Sequence, residues 1–421
     1  MKTRRQFLQT GMMGMAASWT IPTFLNETIL SMDLHAADSA LQVTSGKDGP
    51  ILVVLQMGGG NDGLNCVIPY ADDAYYQARS SLAIPNQEVI RVNDYFGLSP
   101  QFEGLKQLYD DGDLALINGV GYPNPNRSHF RSMEIWHTAS DSDKNESYGW
   151  LGRYFDHTCS GVDPTAGVNI GKQMPQAFLG KSPNGMTMSN PKQFALQQDP
   201  DDLIGGNAEM EMSGGSIQSL GSVSGQDFGN PLDYLERTNL DASLSSEDIQ
   251  QITSKVKNSY TYPESALARD LKLIAQLAAG GLGSRVYYAS QGGYDTHANQ
   301  AGTHERLTLE FSQALHAFCQ DLKQIGIFDR TLILCFSEFG RRVKQNASGG
   351  TDHGAAGPAY IAGGAIKPGL YGEYPSLTDL HRGDLKYNID FRSLYSTILD
   401  NWMGLDSQQI LKRKFPHLEF V

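Results

Sequence analysis

The sequence predicts an α/β fold built on a doubly wound, mostly parallel sheet flanked by helices. Three observations carry this reading. Short, continuously apolar runs recur along the chain, helical patterns separate them, and polar residues gather directly after the runs. A run that is apolar at every position belongs to a strand covered on both faces, as in a parallel sheet between two helical layers. Regular alternation of such runs with helices marks a doubly wound sheet.

The chain opens with Lys2, Arg4 and Arg5 in Thr-Arg-Arg-Gln-Phe-Leu, followed by an apolar stretch, Gly11 to Leu25, and small residues at Ala36 and Ala37. That is the layout of a secretory leader. Paired arginines before Gln-Phe-Leu point to the twin-arginine route, so residues 1–37 are expected to be a signal peptide read by the twin-arginine translocation machinery. The mature protein is then periplasmic or secreted. The apolar stretch is shorter than the roughly 20 residues of a membrane span, so a cleaved leader is expected and a permanent membrane anchor is not. Removing residues 1–36 leaves 30 basic and 44 acidic residues, a net charge of −14. Nucleic acid is therefore not an expected partner. Cys66, Cys159, Cys319 and Cys335 are widely spaced with no CxxC pair, which argues against a zinc–thiolate site.

The first strand is expected at Pro50 to Gln56, and further strands at Leu114 to Asn118, Arg285 to Ala289, Thr331 to Phe336 and Ala359 to Ala362. Helices are expected at Gln101 to Tyr109, Ser128 to Thr138, Glu264 to Ala278, Thr303 to Ile325 and Phe391 to Met403. Residues 38–421 then form one α/β domain. The stretch 197–257 breaks the rhythm with Ser, Gly, Asp and Gln, and is expected to be a polar surface insertion or cap.

In an open parallel sheet, ligands bind beyond the carboxyl ends of the strands. Asp62 follows the first strand within Gly58-Gly-Gly-Asn-Asp-Gly63, where it is either a turn cap or a ligand-facing carboxylate. Ser128 stands at a helix start after Gly121-Tyr-Pro-Asn-Pro-Asn-Arg, as a capping serine or as a nucleophile near the positive helix end. Arg127 and Arg131 flank it with guanidinium donors suited to an oxyanion. Asp295 and His297 share a loop at a spacing that lets both reach one ion. Glu338 ends the buried run Thr331 to Phe336, and a carboxylate there needs a partner or a metal. Asp352 and His353 lie among glycines before the next strand. His137, His157, His304, His316 and His381 follow no strand end and are read as structural or surface residues.

The order of these groups resembles the alkaline-phosphatase (sulfatase) superfamily. Within it, the chain is similar to the twin-arginine-exported domain of unknown function 1501 family, through Gly58-Gly-Gly-Asn-Asp-Gly-Leu64, Asn126-Arg-Ser-His-Phe130, Gly293-Tyr-Asp-Thr-His297, Ser337-Glu-Phe-Gly-Arg341 and Gly350-Thr-Asp-His-Gly354. The resemblance spans roughly Ile51 to Met403. It implies one or two divalent metal ions, zinc, calcium or magnesium, around a nucleophile, and hydrolysis of small-molecule or polymer-linked phosphate or sulfate esters. Carried over, it places Ser128 between the ions as nucleophile and ligand, Asp62 on the second ion, and Asp295, His297 and His353 on the first. Glu338 takes the place of the aspartate that ends the corresponding strand. The chain departs from the hydrolase pattern where Glu338-Phe339 replaces Asp-His and where Asn299 stands four residues after Asp295. These departures set a rival expectation: a non-catalytic exported binding protein that keeps the fold, with one or both metals absent or bound differently.

Overall fold

The computed structural model describes residues 49–159, 163–189 and 248–421. The leader at 1–37 and most of the expected insertion lie outside the described residues. The insertion's end is described: residues 248–255 are helical, and Ile249 is buried in the core.

The strands, in chain order, are β1 (Ile51–Gly58), β2 (Val67–Ile68), β3 (Ile90–Arg91), β4 (Gly97–Leu98), β5 (Leu114–Gly121), β6 (Gly167–Ile170), β7 (Met186–Met188), β8 (Val286–Gly292), β9 (Thr331–Phe336), β10 (Arg341–Gln345), β11 (Thr351–His353), β12 (Gly357–Gly363), β13 (Gly369–Tyr371) and β14 (Ile389–Asp390). The main sheet runs β13-β5-β12-β9-β1-β8-β6-β7, with β14 also on β5. Every pairing in it is parallel except those of β12, which runs antiparallel between β5 and β9. β1, β5, β8 and β9 therefore end at the same edge. β2, β4 and β3 form a small second sheet, and β10 pairs with β11 in a hairpin.

Each central strand sends alternate side chains into two cores. From β1, Ile51, Val53, Leu55 and Met57 enter one, while Leu52 and Val54 enter the other. The first core packs under the helices Ala266–Ala279 and Gln300–Ile325, and the second under His129–Thr138, Trp150–Thr158 and Phe391–Thr397. This two-sided burial is why the strands read as unbroken apolar runs. Each fully buried aliphatic side chain contributes about 1.5–3 kcal/mol relative to exposure, so the sheet is a firm base for the loops at its edge. No described helix is long and apolar enough to cross a membrane.

Candidate metal centre

Four strand ends deliver the groups of the site. Asp295 and His297 follow β8, Glu338 follows β9, and the β10–β11 hairpin pairs Arg341 with His353. The fourth contributor is the loop after β5. Pro123 and Pro125 keep it out of a helix, and Asn126 Oδ1 accepts from Ser128 N at 2.9 Å. The helix then begins at His129 with Ser128 as its N-cap residue. Ser132, one turn in, donates its hydroxyl to the Glu338 carbonyl, which docks the first helical turn on the end of β9. His129 is thereby brought to the cluster.

Asp295 Oδ1 is the centre. His353 Nε2 and His297 Nε2 each lie 3.0 Å from it, His129 Nε2 lies 3.4 Å away, and Arg341 Nη2 donates to it at 2.9 Å. His297 Nε2 and His353 Nε2 are 2.8 Å apart. The ligand atoms of His129, Asp295 and His353 all lie within 4.8 Å of one another.

The partners of the opposite ring nitrogens assign the tautomers. His353 Nδ1 faces the Arg127 carbonyl at 2.7 Å, and His129 Nδ1 faces Glu338 Oε1 at 2.9 Å. Each Nδ1 must carry the proton, which leaves each Nε2 as a lone pair. His297 Nδ1 similarly faces Asp352 Oδ1 at 3.5 Å. Three imidazole lone pairs thus converge on a carboxylate oxygen, and His129 Nε2 is buried with no hydrogen-bond partner. Such an electron-rich cluster fits a cation. Two ligands about 2.0 Å from one tetrahedral ion stand about 3.3 Å apart, close to the distances found here.

Arg341 holds the arrangement. It is buried, and donates to the carbonyls of Gly60 at 2.6 Å, Thr351 at 2.8 Å and Tyr294 at 2.9 Å, and also to Gly59. Gly59 has φ +119°, and a Cβ there would stand 2.5 Å from Asp295 N. Only glycine lets the β1 turn come this close to the Asp295 loop. Burial works to raise the Asp295 pKa, but the Arg341 guanidinium, through its hydrogen bond and its charge, outweighs it and holds the carboxyl well below the usual carboxylate range. The hydrogen bond to Glu338 raises the His129 pKa against the opposing effect of burial.

The structure brings Asp295, His297 and His353 together, and places Glu338 one step behind them, on His129. Glu338 is fully buried and Oε1 also accepts from Gly59 N at 2.9 Å. Asp62 is not in the cluster. Its two oxygens take Arg79 at 2.5 and 2.8 Å, and Gln300 as well, and both Asp62 and Arg79 are buried. Burial would raise the Asp62 pKa, yet Arg79 lowers it further, so the carboxyl stays ionised but committed. Ser128 is exposed, and its side chain makes no capping bond. Arg127 is paired with Asp384. Arg131 is also engaged, with Glu134 at 2.7 Å and with the carbonyls of Asp141, Ser142 and Lys144. Phe339 packs its ring against His129 and His353 at centroid distances of 4.9 and 4.8 Å. Phe339 thus forms an apolar wall beside the cluster.

His129 is the residue that sequence reasoning passed over. Its signal was its place in the first helical turn after a strand-end loop, next to the serine that drew the attention. His137 and His304 are buried, and burial pushes both pKa values down to about 4.

The chain belongs to the protein family of unknown function DUF1501, whose model matches residues 50–416. No curated protein matches the chain in sequence. It is similar in structure to a protein of the alkaline phosphatase superfamily from Vibrio parahaemolyticus, with 11% identity, 88% of this chain and 72% of that one covered, and a TM-score of 0.41. It is also similar to the PsFucS1 sulfatase from Pseudoalteromonas sp., with 11% identity, coverage of 95% and 75%, and a TM-score of 0.39. The C-terminal periplasmic domain of EcEptC from Escherichia coli matches with 9% identity, coverage of 89% of each chain and a TM-score of 0.37.

Proposed function

We propose that the protein is an exported hydrolase of phosphate or sulfate esters that works with one divalent metal ion. The observation that carries this is the meeting of the His129, His297 and His353 Nε2 atoms at Asp295 Oδ1. An imidazole-rich donor set suits zinc or another first-row ion better than calcium or magnesium. When bound, such an ion supplies a Lewis acid for a phosphoryl or sulfuryl oxygen and lowers the pKa of a bound hydroxyl.

The chain's own residues do the rest. Arg341 and Glu338 fix the Asp295 carboxylate and the His129 ring, so no reorganisation is needed at the moment of reaction. Ser128, directly before His129 and exposed, is the candidate nucleophile: its oxygen would bond to phosphorus or sulfur as the ester oxygen leaves with a proton, and water would then release the serine ester. Asp295 and His297 are about half exposed, at 49% and 46%, so a substrate can reach the cluster from solvent.

The single ion is part of the proposal. Asp62, the carboxylate that a second ion would need, is spent on Arg79. That same fact favours the rival reading, in which one ion supports binding without turnover. Elemental analysis of the purified protein, together with turnover of aryl phosphate and aryl sulfate esters before and after chelation, separates them. About one metal per chain with chelator-sensitive turnover supports the hydrolase. One metal with no turnover on any ester class supports the binder, and no metal overturns the hydrolase and leaves the binder standing. Export by the twin-arginine pathway, read from Arg4 and Arg5, is part of the same proposal.

A further inference from the structure

A second charged cavity lies at the other end of the helix His129–Thr138. Thr138 and Ser140 at the helix end form one wall, and Lys412, Arg413 and Phe415 form another, enclosing about 150 Å³. The helix itself separates this cavity from His129 by roughly 14 Å. One water needs roughly 10–15 Å³ of such volume, so there is room for a polyatomic ligand.

Charge is the informative feature. Lys144, Arg153, Arg392, Lys412 and Arg413 line the cavity, against two carboxylates, Asp141 and Glu146. Arg392 pairs with Asp390, which does not line the cavity, at 2.7 Å, and with the lining Asp141 at 2.6 Å. Lys412 pairs with Glu146 at 2.6 Å. Lys144 and Arg413 are left to share Asp141, at 3.1 and 3.3 Å.

Arg153 has no carboxylate within salt-bridge distance among the described residues. Its three nitrogens donate to the carbonyls of Ile410 at 2.5 Å, Tyr148 at 2.6 Å and Thr138 at 2.7 Å. A guanidinium carries five N–H groups, so donors remain unspent. Burial depresses the Arg153 pKa, and the charge of Glu146, outside salt-bridge distance, offsets this only in part. The Ser140 hydroxyl is also buried without a partner. In a chain of net charge −13, the lining of this cavity carries the opposite sign, and such local fields concentrate counter-ions.

We infer that this cavity binds a tetrahedral oxyanion, a phosphate or sulfate group, either as the free ion or as a substituent on a larger ligand. Cations approach from several walls, which suits a group with three or four acceptor oxygens better than a carboxylate with two. Arg413 is stacked on Phe415 at 4.7 Å, which holds its planar donors in place before any ligand arrives. The inference stands apart from the metal centre and from hydrolysis.

Calorimetric titration of the full chain tests it, with EDTA present so that the metal centre does not take the probe. The probes are inorganic phosphate, inorganic sulfate and glucose 6-phosphate, against chloride at matched ionic strength. Saturable binding of at least one probe is expected, weakened 10-fold or more by Lys412→Ala combined with Arg413→Ala. Lys386→Ala, an exposed cation paired with Asp379 outside the cavity, should change nothing. Tighter binding of glucose 6-phosphate would identify an esterified ligand, and tighter binding of the inorganic ions a free one. Should the double variant melt early, Arg413→Ala alone is read for a several-fold loss. No saturable binding of any probe, or wild-type affinity in the cavity variants, overturns the inference.

Discussion

Glu338 Oε1 stands 2.9 Å from His129 Nδ1, and this contact decides which nitrogen of the imidazole faces the cluster. The carboxylate fixes the Nδ1–H tautomer and leaves Nε2 free to ligate. A carboxylate that Thr331 to Phe336 carries to the sheet edge thus acts through a histidine on a separate helix.

Glu338→Gln should therefore weaken metal binding by about 10- to 100-fold, the usual effect of losing such an orienting partner. His129→Ala and His353→Ala should reduce the stoichiometry itself. Competition with a chromogenic chelator measures the affinity, and unchanged affinity in Glu338→Gln would show that the tautomer is set elsewhere.

A different outcome is expected at Asp62. Removing it by Asp62→Ala strands the buried Arg79 guanidinium and should cost about 3–5 kcal/mol of stability, read by denaturant unfolding. Metal content in the folded fraction should remain at the wild-type level. Loss of metal from folded Asp62→Ala would mean that this carboxylate serves an ion after all, and that the one-ion proposal fails.

The five long apolar strands were legible in the sequence because both their faces are buried. β6, Gly-Val-Asn-Ile, and β7, Met-Thr-Met, were not, being short runs interrupted by Asn169 and Thr187. Of the site, Asp295, His297 and His353 could be read because parallel strands place their carboxyl ends at one edge. The commitment of Asp62 could not, because Arg79 lies outside any strand-end pattern and meets it only through burial. His129 was hidden by its neighbour: Ser128 already explained the start of the helix, so the next residue left no unexplained signal.

Asp270, on the helix Ala266–Ala279, supplies a pH test independent of the proposed metal ligands. Burial raises its pKa from 3.8 to about 6, so the folded state holds a proton that the unfolded state has released. Stability should therefore fall as pH rises from about 4 to about 6, because the ionised carboxylate is disfavoured only when folded. Asp270→Asn should melt higher than wild type at pH 7, with the difference vanishing near pH 4. A difference that stays constant across this range would assign the effect to packing.

Export rests on the arginine pair. Arg4→Lys with Arg5→Lys preserves the charge of the leader while removing the twin-arginine feature. Precursor should accumulate in the cytoplasm, as fractionation and immunoblotting would detect. Normal export of the double variant would assign the protein to the general secretory route.

Ser128 decides between enzyme and binder. Its side chain makes no capping bond, so the usual loss of about 1 kcal/mol on removing a helix cap does not apply. Ser128→Asn should fold and melt like wild type, keep its metal, and lose turnover by orders of magnitude, because the amide cannot form a phospho- or sulfo-ester. The neighbouring histidine provides the contrast. His129→Ala should lose metal and turnover together, whereas Ser128→Asn separates them. If metal-dependent turnover is measured in the wild type and Ser128→Asn leaves it unchanged, the serine is not the nucleophile. A water activated at the cluster formed by His129, His297, His353 and Asp295 would then be the attacking group, and the mechanism would become a single displacement without a serine ester.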